Sequence, residues 1–106
     1  MKANFPPEGT DDTPKKFSLK QNYPNPFNPR TEIAFDLPQE EKVTLKIYDL
    51  YGREVVTLLD QVLEKGRHKI SWNGSNDGKE ALASGMYVYR IRAGDFIASK
   101  KLLLLR

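Results

Sequence analysis

The chain has 106 residues and no cysteine, and its 17 basic and 14 acidic side chains leave a formal net charge of +3. This length suits one domain with a short tail, and the missing cysteines exclude disulfides and thiolate metal sites. The weak positive balance does not indicate a nucleic-acid-binding protein. No apolar run approaches the ~20 residues that cross a bilayer, and no apolar segment after Met1 resembles a secretory signal. If the parent protein is exported, this chain is therefore expected to be a piece of it.

Residues 1–16 have the composition of a tail. They combine Pro6, Pro7 and Pro14 with scattered charges, and Phe5 is their one large apolar side chain apart from Met1. Such a segment cannot bury enough apolar surface to offset its conformational entropy. It predicts a flexible linker from a preceding domain, although a vector-derived tail would look the same. The folded domain is then expected to span residues 17–106.

A proline-rich segment precedes most of the predicted strands. Proline has no N–H, and the residue before a proline is pushed out of the helical region. We therefore expect an ordered, extended segment that cannot pair as a central strand. Two aromatic side chains, Tyr23 and Phe27, are predicted to anchor it on a neighbouring surface. The segment reads Asn22, Tyr23, Pro24, Asn25, Pro26, Phe27, Asn28 and Pro29.

From Phe17 onward, apolar residues alternate with polar ones, which predicts half-buried β-strands. Clusters of Gly, Asn and Asp between these runs predict turns, one of which contains Gly52. The alternating sets are Phe17 and Leu19; Ile33, Phe35 and Leu37; Val43, Leu45 and Ile47; His68, Ile70 and Trp72; Tyr87, Tyr89 and Ile91; and the run Phe96–Leu105.

The segment Glu54–Leu59 is ambiguous, because its apolar residues fit either a strand or a short helical turn. If it is a strand, about seven short strands follow one another at a spacing of roughly ten residues. This pattern predicts an all-β fold, an immunoglobulin-like antiparallel β-sandwich. The Cys–Trp–Cys pattern of antibody domains is absent, so the prediction concerns the architecture alone.

The sequence offers little that favours catalysis. His68 is the single histidine, and a lone histidine in a strand is more often a packing or surface residue than a base. No serine lies in a nucleophile elbow, and no glycine-rich phosphate loop precedes a helix. Asn73, Asn76 and Asp77 could supply oxygen ligands to Ca²⁺. With one carboxylate in that loop, turn formation is the stronger account, so we predict no enzyme activity, no metal site and no cofactor.

Four consecutive leucines mark the end of the chain, which reads Lys100, Lys101, Leu102, Leu103, Leu104, Leu105 and Arg106. In a strand, alternate leucines point to opposite faces. A sandwich buries one face of each sheet, so two leucines should project outward unless another segment covers them. One alternative is a cover formed by the proline-rich segment. The other is a docking strip for another protein, flanked by the charged residues.

The order of these motifs resembles the type A C-terminal sorting domain of the type IX secretion system, also called the Por secretion system. A related pattern occurs in the immunoglobulin-like domain of flagellar hook-capping proteins. Asn73 and Met86 differ from the Asp and Val that sorting domains often carry there, and both departures are conservative. The resemblance covers about residues 17–106, through Asn22–Pro29, Val43–Val55, Gly66–His68, Trp72–Gly74, Ala83–Tyr87 and Lys100–Arg106.

The resemblance implies a non-catalytic secretion signal at the C-terminus of a cargo protein in Bacteroidetes and their relatives. The cargo would reach the periplasm through its own N-terminal signal and then cross the outer membrane to the cell surface or the medium. The implied partners are the outer-membrane translocon, the sortase components and the N-terminal cargo domain. In many members a cell-surface sortase cleaves before the domain and transfers the cargo to a lipopolysaccharide. By analogy, cleavage here would fall between Met1 and Phe17.

We predict partner recognition at Gly85, Tyr87 and the strip Lys100–Arg106, which would present a fixed edge and an apolar stripe. A structural immunoglobulin-like spacer is one alternative function, although the end of the chain at Arg106 suits a terminal tag better. A second alternative is a carbohydrate-binding module that uses exposed aromatic residues, although two of them are expected in the core. A weak dimer through exposed edge strands stays open. The aromatic residues are Tyr48, Tyr51, Trp72, Tyr87 and Tyr89.

Overall fold

A computed structural model describes residues 13–106, which form strands and no helix. The predicted strands are confirmed, and the ambiguous Glu54–Leu59 segment is part of a strand. Residues 13–106 therefore offer no helix with the length and hydropathy to span a bilayer. The strands are β1 (Ser18–Leu19), β2 (Thr31–Leu37), β3 (Glu41–Tyr48), β4 (Glu54–Leu63), β5 (Gly66–Trp72), β6 (Gly85–Ala93) and β7 (Phe96–Leu104).

The strands form two antiparallel sheets. One sheet has the order β1-β2-β5, and the other has the order β4-β3-β6-β7. Inward-facing side chains of both sheets make one core, with Phe35 of β2, Ile47 of β3 and Tyr89 of β6 fully buried. This arrangement confirms the predicted all-β, immunoglobulin-like sandwich.

Two β-bulges explain why β4 was ambiguous in the sequence. Its pairing with β3 skips Val55 and Leu58, so each is an extra residue in β4. An extra residue shifts the alternation of the side chains that follow it. The apolar residues of β4 therefore recur at irregular intervals, which fit a helix and a strand equally well.

The chain enters the sandwich at one end and leaves it at the other. Phe17 stacks on Phe96, the first residue of β7, with ring centroids 5.3 Å apart. β7 then runs for nine residues, which corresponds to about 30 Å of strand. We call the end at Phe17 and Phe96 the linker end, and the end at Gly74, Gly85 and Arg106 the motif end. Of the predicted linker, residues 1–12 lie outside the described part of the chain, whereas Pro14 is buried.

Candidate functional site

The separate sequence motifs meet at the motif end. Phe27 of the proline-rich segment forms a parallel bridge with Leu104, and Gly85 lies opposite Leu104 on β6. The Phe27 ring lies 5.6 Å from the Trp72 ring. Trp72 in turn meets Tyr87 edge-on at 5.9 Å. Residues far apart in the chain thus form one contiguous region.

Residues Asn22–Pro29, which we call the strap, cover the C-terminal end of the edge of β7. The Phe27 N–H donates to the Leu103 carbonyl (3.0 Å), and the Leu105 N–H donates to the Phe27 carbonyl (3.1 Å). The Leu103 N–H donates to Asn25 Oδ1 at 3.0 Å. The strap therefore occupies hydrogen-bonding groups that an edge strand would otherwise expose. Because it lies beside β7 rather than over its outer face, it leaves the Leu105 side chain 47% exposed.

The strap is bent, which corrects the prediction of an extended segment. The carbonyl of Pro24 accepts hydrogen bonds from Thr31 Oγ1 (2.8 Å) and Asn22 Nδ2 (3.2 Å). The first bond holds Pro24 beside the residue that starts β2, and the second folds the beginning of the strap back on itself. The peptide bonds that precede Pro24, Pro26 and Pro29 are all cis.

Tyr23 is not an anchor, which corrects a second prediction. Its side chain is 81% exposed, whereas that of Phe27 is 1% exposed. The backbone of Tyr23 pairs with Glu32 in an isolated antiparallel bridge. Side chains alternate across such a bridge, so the inward position of Asn22 turns Tyr23 to the solvent.

Sequence reasoning missed a buried polar cluster at the beginning of the strap. Asn22 and Thr31 are 2% and 1% exposed, and Asn22 Nδ2 donates to Thr31 Oγ1 at 3.0 Å. The Asn22 N–H donates to the Tyr89 hydroxyl (2.8 Å), which donates to the Lys20 carbonyl (2.6 Å). Burial raises the pKa of Tyr89 to about 12, so the hydroxyl stays a neutral donor. Thr31 was the available signal, because it is polar yet shares the inward face with Ile33.

Arg106 fastens the loop between β5 and β6. Its Nη2 donates to the Gly74 carbonyl and its Nε to the Leu82 carbonyl, both at 2.6 Å. Its backbone N–H donates to Ser84 Oγ at 2.8 Å. Gly74 has φ +78°, and a Cβ there would lie 2.7 Å from Arg106 Nη2. The positive φ therefore favours glycine at this position, and a Cβ there would displace the Arg106 guanidinium.

The predicted recognition residues divide between core and surface. Leu102 and Leu104 are fully buried, and Tyr87 is 8% exposed. These three side chains lie in the core because inward-facing positions of both strands fill the core of a sandwich, and their part in partner recognition stays a prediction. The other predicted residues are half-buried or exposed: Gly85, Lys100, Lys101, Leu103, Leu105 and Arg106.

The turn between β3 and β4 is organised by Asp49. Its carboxylate accepts the N–H groups of Tyr51 (2.9 Å) and Arg53 (3.0 Å) and the Arg53 Nε–H (2.8 Å). The backbone hydrogen bond from Arg53 is the main cause that lowers the pKa of Asp49. Gly52 completes the turn with φ +85°. Leu50 and Tyr51 at its tip are 62% and 86% exposed, so the motif end projects two large apolar side chains.

The aromatic residues considered for carbohydrate binding do not share a surface. Trp72, Tyr87 and Tyr89 belong to the core, as expected for the first two. Tyr51 lies exposed at a turn, and Tyr48 is half-buried at the end of β3. A stacking platform would need several exposed and coplanar rings, so this set cannot form one.

The oxygens of the Asn73–Asp77 loop serve structural hydrogen bonds. Asp77 Oδ1 accepts the N–H of Thr57 on β4 at 3.2 Å, and Asn76 Oδ1 accepts the N–H of Glu80 at 2.9 Å. In the part of the chain that the structure describes, no three His, Asp or Glu side chains group as metal ligands. The geometry fits the turn-forming account of this loop.

The fold and the motif end together define an immunoglobulin-like β-sandwich domain. The family described as "Secretion system C-terminal sorting domain" matches residues 21–105. The chain belongs to this family, whose domains are C-terminal secretion signals of the type IX secretion system and are typically non-catalytic. Membership implies export to the cell surface or the extracellular space.

Two solved structures from Porphyromonas gingivalis resemble the fold. Dimeric latent PorU matches with a TM-score of 0.68 and 20% identity over 82% of this chain and 9% of that chain. PorZ, an essential surface component of the type-IX secretion system, matches with a TM-score of 0.54 and 19% identity over 93% of this chain and 13% of that chain. The chain thus spans about a tenth of the length of these proteins. The search of curated proteins gave no significant match.

Proposed function

We propose that this domain is a non-catalytic address label that sends the protein joined to its N-terminus through the type IX translocon. The cargo would pass through the periplasm, cross the outer membrane and reach the cell surface or the medium. The family match over residues 21–105 carries the proposal. The domain itself would take no part in the activity of the cargo.

The layout of the domain supports a cargo at one end and recognition at the other. The chain enters at the linker end, where Phe17 stacks on Phe96. The exposed side chains of Leu50, Tyr51 and Leu105 lie at the motif end. The length of β7, about 30 Å for its nine residues, separates the two ends. A cargo at the linker end would therefore leave the motif end accessible to the translocon.

Sortase cleavage is proposed between Met1 and Phe17, within the predicted linker. A protease needs extended and accessible backbone. From Phe17 the chain is packed, because this ring stacks on Phe96 and Leu19 is buried. Mass spectrometry of the exported cargo would locate the new C-terminus. A terminus beyond Phe17 would contradict the proposed position.

A fusion experiment tests the proposed function. The 106-residue chain is placed behind a periplasmic signal and a folded reporter in a cell with a type IX system. We expect the reporter outside the cell, and we expect it in the periplasm of a strain that lacks the translocon. Retention of the reporter in the periplasm while the domain resists proteolysis, and is therefore folded, would contradict the proposal. That result would instead favour a structural spacer.

A further inference from the structure

Positive charge is concentrated on the outer face of the four-stranded sheet. Lys46 of β3 lies directly opposite Arg90 of β6, and Arg92 is the next outward residue of β6. β7 adds Lys101, which lies opposite Val88. We call the surface of Lys46, Arg90, Arg92 and Lys101 the cationic face. The outward positions of β6 and β7 include no acidic residue.

Most of this charge has no acidic partner within the domain. Lys46 Nζ lies 3.3 Å from a carboxylate oxygen of Glu54. Arg90 lies over the ring of Tyr48, at 5.3 Å from its centroid. Among residues 13–106, no ion pair reaches Arg90, Arg92 or Lys101. Like charges directly opposite each other destabilise a sheet, and only Lys46 of this pair has a carboxylate beside it.

The outer face of the other sheet is arranged differently. Lys20 and Arg67 both approach Asp36, at 3.2 and 3.9 Å. Lys69 lies 3.7 Å from Glu32. In the four-stranded sheet, Lys42 Nζ of β3 likewise lies 3.2 Å from Asp60 of β4. The unmatched charge is therefore confined to β6 and β7, whose cations have no ion pair among residues 13–106.

The side chains around the cationic face suit a protein partner. Met86 and Ile97 are 38% and 50% exposed. Leu103 is half-buried opposite Met86, and Ile97 lies opposite Arg92. Arginine, tyrosine and methionine are enriched at protein interfaces. Arginine also binds carboxylates with two parallel hydrogen bonds, and strands hold its side chain on a rigid support. These features favour an acidic protein surface over a lipid or nucleic acid.

We propose that the cationic face docks an acidic segment of a protein of the secretion machinery. Carboxylates of this segment pair with Arg90, Arg92 and Lys101, and its apolar side chains pack on Met86 and Ile97. The inference rests on the proposed sorting function, because the machinery is the partner. It places the recognition surface on the outward side of the four-stranded sheet, whereas the sequence-based prediction included the buried leucines of β7.

Charge reversal in the reporter fusion is the first test. The face variant carries Arg90→Glu and Arg92→Glu, and the control carries Lys65→Glu and Lys79→Glu at exposed loop positions with the same change of charge. We expect about tenfold less export for the face variant, because like charges across an interface are strongly unfavourable. The control should match the wild type, and both variants should keep the wild-type melting temperature.

The outcomes separate the two proposals. Equal export of the face variant and the control would overturn the docking face and leave the sorting function intact. Retention of the wild-type fusion would contradict the sorting function. In that case the face is judged by direct binding, with the purified chain and a synthetic glutamate-rich peptide as the probe.

The binding test uses nuclear magnetic resonance. We expect amide shifts clustered on β3, β6 and β7, and about tenfold weaker binding by the face variant. Binding should weaken with salt, because exposed charges are screened beyond about 8 Å at physiological ionic strength. Shifts spread over all lysines, or binding unchanged by the reversal, would overturn the proposal. Stronger binding to phosphatidylglycerol vesicles than to the peptide would also overturn it, in favour of a lipid partner.

Discussion

Tyr89 joins the strap to the core through one hydroxyl group. This hydroxyl accepts the Asn22 N–H and donates to the Lys20 carbonyl, while the side chain is fully buried. Without the hydroxyl, the buried Asn22 N–H and the part-buried Lys20 carbonyl would both lose this partner. Leaving such groups unpaired costs more than the hydrogen bond itself contributes.

Tyr89→Phe should therefore lower the free energy of unfolding by about 1–3 kcal/mol, the cost of leaving buried polar groups unsatisfied. Urea denaturation of the purified chain measures this loss. Tyr51→Phe is the matched control, because Tyr51 is 86% exposed. The control should stay within about 0.5 kcal/mol of the wild type. An equal loss in both variants would contradict the role of Tyr89.

The same residue predicts a pH dependence. Burial raises the pKa of Tyr89 from 10.0 to about 12, so the unfolded phenol loses its proton first as the pH rises. The stabilisation by Tyr89 is complete below pH 10 and is lost as the pH rises to about 12. The melting temperature of the wild type should fall more steeply over this range than that of Tyr89→Phe. Parallel curves would show that Tyr89 does not cause the dependence.

At the scale of elements, the strap protects the edge of β7. Exposed edge strands offer unpaired N–H and carbonyl groups to other chains. The strap pairs with the C-terminal end of this edge at Leu103 and Leu105, and it is held in place by Phe27, which is 1% exposed. The outer edges of β4 and β5 have no strand beside them in either sheet of the described residues. A weak dimer would therefore have the edges of β4 and β5 available for pairing.

Phe27→Ala should destabilise the domain by about 3–5 kcal/mol, because it removes a large buried ring. Tyr23→Ala is the control within the same strap and should change stability by about 0.5 kcal/mol or less. Hydrogen exchange at the Leu103 and Leu105 amides should also accelerate in Phe27→Ala alone. Similar effects of the two variants would show that the strap is not anchored by Phe27.

The inward-facing and outward-facing leucines at the end of the chain can be tested separately. Leu102→Lys or Leu104→Lys would bury a charge and should prevent folding. Leu103→Lys and Leu105→Lys should keep a cooperative thermal transition and yet reduce export of the reporter. A collapse of the melting temperature in the outward variants would assign them to the core. Deleting residues 102–106 is a poorer test, because the deletion removes two core leucines together with any docking contact.

At the scale of the whole molecule, the domain carries a complete core of its own. Every strand of both sheets contributes apolar side chains to one cluster, from Leu19 of β1 to Leu104 of β7. Within residues 13–106, every buried side-chain nitrogen and oxygen has a hydrogen-bond partner. Such a unit does not need contacts with a cargo to fold, which suits a label that serves different passengers.

Independent folding is therefore expected. The domain should melt at the same temperature alone and when joined to a reporter that melts well above or below it. Differential scanning calorimetry of the chain and of the fusion measures both transitions. A shift of the domain transition on fusion would indicate contacts with the cargo and would weaken the separation of the two ends.

The alternation of apolar and polar residues explains why part of the fold could be predicted from the sequence. Ile33, Phe35 and Leu37 alternate with polar neighbours, and such alternation is a local property that identifies a strand and its buried face. The order of the motifs was enough to indicate the sorting-domain family. The inward position of Thr31 could also have been read from the alternation, although its partners could not.

Alternation thus determined the strands and the sandwich class of this protein, and the resemblance of its ordered motifs indicated its family. Tertiary structure alone decided that Phe27 is buried while Tyr23 is exposed, and that the strap pairs with β7. It also decided that Lys46 and Arg90 meet on one face. Alternation specifies which side chains of a strand share a face, whereas the neighbours of a strand depend on hydrogen bonds between segments far apart in the chain. Those long-range pairings become visible only when both sheets are assembled.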